Sequence, residues 1–180
     1  VQSNANSLRG VGQFNDQLRD ALIKGGLAAV TDKGWITNES AVSSSDVSKI
    51  MDGLKGITAC TNSITDPNKT TNYVTCHDNY TLFDRISAAG ITDEATVKKM
   101  AMLANSVVLT SNGTAFMLAG EEFLRTKGGD GNSYQSGYEV NQLDYSLKIA
   151  HADMFENYRK LIALKTHCDG LCLSQEQVQQ

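Results

Sequence analysis

The clearest hydrophobic rhythm in this chain runs through Val97, Met100, Ala101, Ala104, Val107 and Val108. Spacings of three and four place these side chains on one face of an α-helix. Thr92 offers an N-cap hydroxyl, and Asp93 and Glu94 follow in the first turn, where the helix dipole favours anions. The pattern predicts a helix of about four turns over residues 95–108, closed by Asn112-Gly113. A second rhythm, Met154, Phe155, Tyr158, Leu161, Ile162 and Lys165, predicts a helix over residues 153–166. Leu18, Leu22 and Ile23 give a shorter one over residues 15–24, stopped by Gly25 and Gly26. Residues 47–54 hold one or two helical turns, and the Thr/Ser/Asn/Gly-rich stretch 31–45 reads as loop.

The period changes in two places. Residues 71–76 (Thr-Asn-Tyr-Val-Thr-Cys) are rich in strand formers, follow the turn signal Asp66-Pro67-Asn68-Lys69, and stop at His77-Asp78-Asn79. Residues 114–119 form a short apolar run with no polar face, as in a strand buried on both sides, and stop at Gly120-Glu121-Glu122. The order strand, helix, strand, helix predicts an α/β fold with a parallel sheet and right-handed crossovers. Residues 72–76 and 114–119 are expected as parallel neighbours, with residues 57–60 supplying a further strand beside 72–76. His77, Asp78, Glu121 and Glu122 are then expected at one C-terminal edge, where an α/β barrel carries its active site. On the His-Asp-Asn triplet alone, an ordinary strand end closed by an Asx turn is the favoured alternative.

At 180 residues the chain suits one domain and is short of the roughly 250 residues of a complete eight-stranded α/β barrel. Hydrophobic residues at 41% and charged ones at 20% point away from disorder. A net charge of −4 argues against nucleic acid and anionic membranes and suits a neutral ligand such as a sugar. No apolar run reaches the ~20 residues of a membrane span. Val1 to Gly10 carries no signal-peptide pattern, so the signal of a secreted parent is expected upstream, and the compartment, bacterial extracellular or cytoplasmic, depends on that N-terminus. Cys60, Cys76, Cys168 and Cys172 are expected as free or buried thiols; His167, Cys168 and Cys172 lack a fourth ligand and the spacing of a zinc finger or ribbon. The sequons at Asn38, Asn68, Asn79 and Asn112 are read as chance.

Several collinear segments carry a resemblance that covers roughly residues 10–167. Asn72-Tyr73-Val74-Thr75-Cys76-His77-Asp78-Asn79-Tyr80-Thr81-Leu82 resembles the seventh-strand motif of glycoside hydrolase family 13, and its Asn-Tyr-Thr-Leu ending is most similar to the type I pullulanases. Ala119-Gly120-Glu121-Glu122-Phe123-Leu124-Arg125-Thr126-Lys127 with Gly131-Asn132-Ser133-Tyr134 resembles the segment after their eighth strand. Gly12 to Leu22 is similar to their segment near the sixth strand. Val140 to Tyr145 and Tyr158 to Leu164 resemble the stretches usually found downstream of the eighth strand.

The resemblance implies a partial (β/α)8 TIM barrel, approximately the sixth to eighth strands with their helices, over residues 1–166, and a tail at 167–180 leading toward a further C-terminal domain. It implies a piece of a starch-debranching enzyme that hydrolyses α-1,6-glucosidic bonds with retention, acting on an α-glucan such as pullulan, starch, glycogen or limit dextrin. Asp78 is then the transition-state stabiliser, accepting hydrogen bonds from ring hydroxyls that tighten as positive charge develops. His77, Asn79, Asn132 and Tyr134 are then substrate-binding residues. No cofactor and no metal ligand set is implied. The sequence departs from the complete pattern: the nucleophile's Gly-Phe-Arg-Phe-Asp type motif and the general-acid Glu are absent from these residues, so the first five strands are expected upstream and the isolated chain is expected to be inactive. An α-amylase or other family 13 specificity, and a non-catalytic carbohydrate-binding piece, remain alternatives. Open sheet edges suggest self-association of the piece. Lys127-Gly128-Gly129-Asp130-Gly131-Asn132 lacks the ending of a phosphate loop and reads as a flexible rim loop. As a calcium loop starting at Asp130 it would need Glu at position 141, which is Asn.

Overall fold

The computed structural model describes residues 2–26, 28–38, 43–58 and 64–179. Three short strands, β1 (Gln13–Phe14), β2 (Thr70–Asn72) and β3 (Thr114–Ala115), lie side by side in that order, and both pairs are parallel. Phe14 pairs with Thr71, and Asn72 with Ala115. The ladder continues past the strand ends: Asn15 N donates to Thr71 O at 2.8 Å, and Phe116 N to Asn72 O at 2.8 Å. Parallel neighbours need a crossover instead of a hairpin. Helices α1 (Asp16–Ile23) and α2 (Ser44–Leu54) fill the first connection, and α3 (Leu82–Ala88) and α4 (Glu94–Thr110) the second. After β3 come α5 (Tyr138–Asn141), α6 (Ser146–Ala150), α7 (Ala152–His167) and α8 (Gln175–Val178).

The expected parallel pairing of the strands around Asn72 and Thr114 is present. The strand on the other side of β2 differs from expectation. β1, only two residues long and too short to alternate, takes the place beside β2 that residues 57–60 were expected to fill. Thr58 spends its backbone groups on an antiparallel bridge to Ile64, with Thr58 N to Ile64 O at 2.9 Å and the return bond at 3.2 Å. Residues 59 and 60, Cys60 included, lie outside the described residues.

Helix ends follow side-chain chemistry. The Asn15 side chain accepts from Leu18 N at the start of α1, and Lys24 closes it in the left-handed region at φ 52°. Asp93, one residue later than the expected Thr92, caps α4: its Oδ2 accepts from Thr96 N at 2.9 Å and Thr96 Oγ1 at 2.6 Å. The chain is still extended at Asp93, which puts the carboxylate within reach of the exposed amide. α3, unmarked by any apolar period, is capped by Thr81, whose hydroxyl accepts from Asp84 N at 3.2 Å. From α3 the buried Arg85 donates to Ile23 O at 3.1 Å, Ala29 O at 2.9 Å and Lys24 O, gathering the carbonyls at the end of α1.

One face of the sheet packs on a core built from Leu18 and Leu22 of α1, Ile86 of α3, Val97, Ala104 and Val108 of α4, and Met154 and Tyr158 of α7. Val74 joins it from the segment after β2. On the other face three rings meet edge to face: Phe14 and Tyr73 centroids are 4.8 Å apart, and Phe14 and Phe116 5.4 Å. Tyr73 is buried there beneath Arg19 of α1, whereas Phe14 stays 45% exposed. The 114–119 run is therefore half-open instead of buried on both sides, with Thr114 and Ala119 exposed. The α4–β3 turn needs glycine: at Gly113, φ 88°, a Cβ would stand 2.8 Å from Thr70 O. Beyond α7 the chain returns to this turn, with Leu173 N donating to Asn112 Oδ1 at 2.9 Å.

Candidate functional site

After β2 the chain stays buried through Tyr73, Val74 and Thr75, then turns out to solvent at His77, Asp78 and Asn79. Asn79 sits at φ 63°, a left-handed conformation that asparagine tolerates better than most residues. The turn leaves the Asp78 side chain 71% exposed, with His77 Nε2 3.4 Å from its Oδ1. A carboxylate in this state can accept hydrogen bonds from a ligand.

A cavity of about 420 Å³ opens between this turn and the loop after β3. His77, Asp78 and Asn79 form one wall, and Gly131, Asn132 and Tyr134 the other. All five residues expected to bind or stabilise substrate thus line one space. The second wall is shaped by polar side chains used as ties. Asp130 Oδ1 accepts from Asn132 N at 2.8 Å and Oδ2 from the Ser136 hydroxyl, bonds that hold its carboxyl below the usual aspartate range. Asn141 Nδ2 donates to Ser133 O at 2.8 Å, and Arg125 Nη2 donates to Asn141 O at 2.5 Å. Gly131 permits the close approach of the two walls: a Cβ there would meet the Tyr80 ring at 2.9 Å.

On the other side of the same turn lies a second cavity of about 520 Å³, bounded by Phe14, Tyr73 and Phe116 and again by His77, Asp78 and Asn79. Arg19 holds this side. Its guanidinium stands 5.5 Å over the Tyr73 ring and bonds Asp20 at 2.7 Å, and Tyr73 OH donates to Asp16 Oδ1 at 2.5 Å. Burial, reinforced by the Asp16 bond, pushes the Tyr73 hydroxyl up from its ordinary pKa.

Glu121 and Glu122 do not share the rim with Asp78, contrary to expectation. Glu121 is 3% exposed and points toward the helices. It accepts from the Thr75 hydroxyl and from Asn105 Nδ2 at 2.9 Å, and Asn105 Nδ2 also reaches Tyr158 OH at 3.0 Å. Burial pushes its carboxyl up to about 8, against the opposing Asn105 bond and with a small contribution from Glu122. Glu122 turns back to accept from Gly120 N at 2.9 Å. The 3-10 turn at Glu121–Phe123, entered through Gly120 at φ 99°, rotates both carboxylates off the rim; residue order along a strand could not forecast that rotation.

Lys127, Arg125 and Asn141 line the first cavity and were not among the expected site residues. Lys127 opens a Gly-rich stretch whose composition suggests mobility. Instead it is 6% exposed, and its Nζ donates to His77 O at 2.9 Å. Among the described residues no group of three His, Cys, Asp or Glu side chains could hold a metal. Cys76, Cys168 and Cys172 are free, and His167 Nδ1 lies 2.7 Å from Ala163 O.

No protein-family model matches the chain. Over 164 residues, 91% of this chain, it is 34% identical to the pullulanase of Bacillus subtilis (strain 168). A crystal structure of the pullulanase from Paenibacillus barengoltzii with maltohexaose and α-cyclodextrin superposes on 98% of the chain with a TM-score of 0.87 and 38% identity. The type I pullulanase of Bacillus subtilis strain 168 with maltose superposes on 99% with a TM-score of 0.91 and 29% identity. The chain spans 23% of the length of the first relative, and 28% and 25% of the two solved chains.

Proposed function

We propose that this chain, which belongs with the pullulanase-like members of glycoside hydrolase family 13, supplies the sugar-gripping wall of a starch-debranching active site that hydrolyses α-1,6-glucosidic bonds with retention. In this reading β1, β2 and β3 are the sixth to eighth strands of a (β/α)8 barrel. The parallel order with paired helices in each connection supports that assignment, as does the gathering of chemistry just past the strands' C-terminal ends. In this reading residues 1–166 belong to the barrel, and 167–180, which pack back on the α4–β3 turn through Leu173, are the tail leading toward a further C-terminal domain.

The observation that carries the proposal is the placement of Asp78. Its exposed carboxylate stands on a turn between two cavities, facing Asn132 and Tyr134 across one and three aromatic rings across the other. A glucan passing the turn would set the ring hydroxyls of one glucose against Asp78, with His77 donating to a hydroxyl of the same sugar. As the ring flattens toward an oxocarbenium ion its hydroxyls become better donors, so the bonds to Asp78 strengthen in the transition state and lower the barrier. Asn132 and Asn79 offer amides to neighbouring hydroxyls, and Tyr134, 76% exposed, offers a ring face to a sugar. The nucleophile and the general acid come from strands outside these residues. The sugar complexes of the Paenibacillus barengoltzii and Bacillus subtilis relatives support an α-glucan as the ligand.

The test is kinetic. In the full-length protein acting on pullulan, Asp78→Asn should lower kcat by at least about 100-fold with a smaller change in KM, as for a contact made mainly in the transition state. A raised KM with unchanged kcat would reassign Asp78 to simple binding. Hydrolysis of amylose with none of pullulan by the full-length protein would overturn the debranching specificity.

A further inference from the structure

Two loops must keep register for the cavity beside Asp78 to exist, and one residue joins them at two points. Lys127, in the loop after β3, donates its backbone N–H to Asp84 Oδ2 at 2.8 Å and its Nζ to His77 O at 2.9 Å. The two acceptors bracket the segment 77–84, which contains Asp78 and the N-cap of α3. Asp84 is itself fixed: it accepts from Thr81 Oγ1 at 2.9 Å and from the Thr126 hydroxyl, and is 6% exposed.

The choice of lysine needs a reason. A carbonyl is satisfied by any donor, and an ammonium is among the groups least often buried. Among the described residues Lys127 makes no ion pair. Burial presses its pKa down, with Arg125 adding to this, while Asp130, Asp78 and Asp84 oppose. A cation held at the carbonyl immediately before Asp78 fixes the peptide that aims the carboxylate.

We propose that Lys127 is a positioning residue for Asp78, stapling the loop after β3 to the turn that presents this carboxylate to the glucan. The proposal rests on the catalytic reading of Asp78 given above. It predicts coupling: the effect of Lys127 on the reaction passes through Asp78 and vanishes when Asp78 can no longer act.

The experiment is a double-mutant cycle in the full-length enzyme, with pullulan as substrate and reducing ends as readout. Lys127→Met keeps the stem and removes donor and charge; Lys127→Arg keeps the charge. Lys127→Met should lower kcat about 10- to 100-fold with KM within about 3-fold, and Lys127→Arg should recover part of the loss. In an Asp78→Asn background, Lys127→Met should cost less than about 3-fold. Equal losses in both backgrounds would make Lys127 a general structural support and overturn the proposal, as would wild-type kcat for Lys127→Met. If Lys127→Met unfolds at the assay temperature, the same cycle with Lys127→Arg decides: coupling to Asp78→Asn supports the proposal and additivity defeats it. Failure of the underlying reading has a different signature, since Asp78→Asn alone would then keep its kcat.

Discussion

Replacing Glu121 with glutamine should remove much of the dependence of this fold's stability on pH between 5 and 8. Glu121 is 3% exposed, and its carboxyl titrates at about 8 in the folded protein against an ordinary 4.5. The native state therefore holds a proton that the unfolded chain releases. Below pH 4.5 both states are neutral there and burial carries no ionisation penalty. As pH rises from 4.5 to 8 the unfolded state ionises and the native state does not, so stability falls. Above 8 both are ionised and the loss is complete. A shift from 4.5 to about 8 corresponds to roughly 5 kcal/mol at 1.36 kcal/mol per pKa unit, as an order of magnitude.

Glutamine copies the shape of the protonated acid and has no charge to bury. It must place an NH2 where the carboxyl met Thr75 or Asn105, which should cost about 1 kcal/mol at every pH. The variant should be slightly less stable than wild type at pH 5 and more stable, by roughly 2–4 kcal/mol, at pH 8 to 9. Urea unfolding of both proteins at each pH, followed by circular dichroism, measures the difference and cancels titrations common to both. Two curves separated by a constant offset from pH 5 to 9 would refute the reasoning, because Glu121 would then ionise alike in both states.

Arg85→Met should destabilise the fold by about 2–4 kcal/mol in urea, since it strips a buried guanidinium from carbonyls at Ile23, Lys24 and Ala29; a loss under about 0.5 kcal/mol would show those carbonyls satisfied otherwise. On the proposed reading the isolated chain should not release reducing ends from pullulan, because a retaining hydrolase needs two further carboxyl groups at the reacting bond, and turnover near that of the full-length protein would overturn this. The same chain should show, by light scattering, a mass above 19.5 kDa that rises with concentration. Strands β1 and β3 are sheet edges, and Phe14 leaves an apolar face open; a monomer at all concentrations would show both needs met within the chain.

What the sequence reveals and what it hides divide along a physical line. Long amphipathic helices are legible because burial of one face imposes a period that no loop imitates: α4 and α7 lie within two residues of their expected limits. The parallel partnership of β2 and β3 follows from element order. β1 is hidden from periodicity, because Gln13–Phe14 carries no alternation to read, and only the family resemblance of residues 12–22 points to it. α3 is hidden because Arg85 and Asp84, two of its buried residues, are charged, and a search for apolar faces passes over them. Lys127 is hidden for the related reason that neighbouring glycines signal mobility, whereas its own bonds to Asp84 and His77 are long-range and have no local signature.

The acidic residues near the sheet edge make the same division sharper. In sequence Asp78, Asp84, Glu121, Glu122 and Asp130 are five comparable carboxylates. In the fold four have been put to work internally: Asp84 anchors Thr126 and Lys127, Glu121 joins Thr75 to Asn105, Glu122 receives Gly120, and Asp130 closes a turn on Asn132 and Ser136. A carboxylate whose oxygens already accept from the protein has little capacity left for a ligand. Asp78 differs, with an exposed side chain and, among the described residues, only His77 near its oxygens. On the proposed reading, free acceptor capacity at the junction of two cavities is what lets Asp78 grip a sugar, and the internal commitments of the other four would supply the rigidity that keeps its aim.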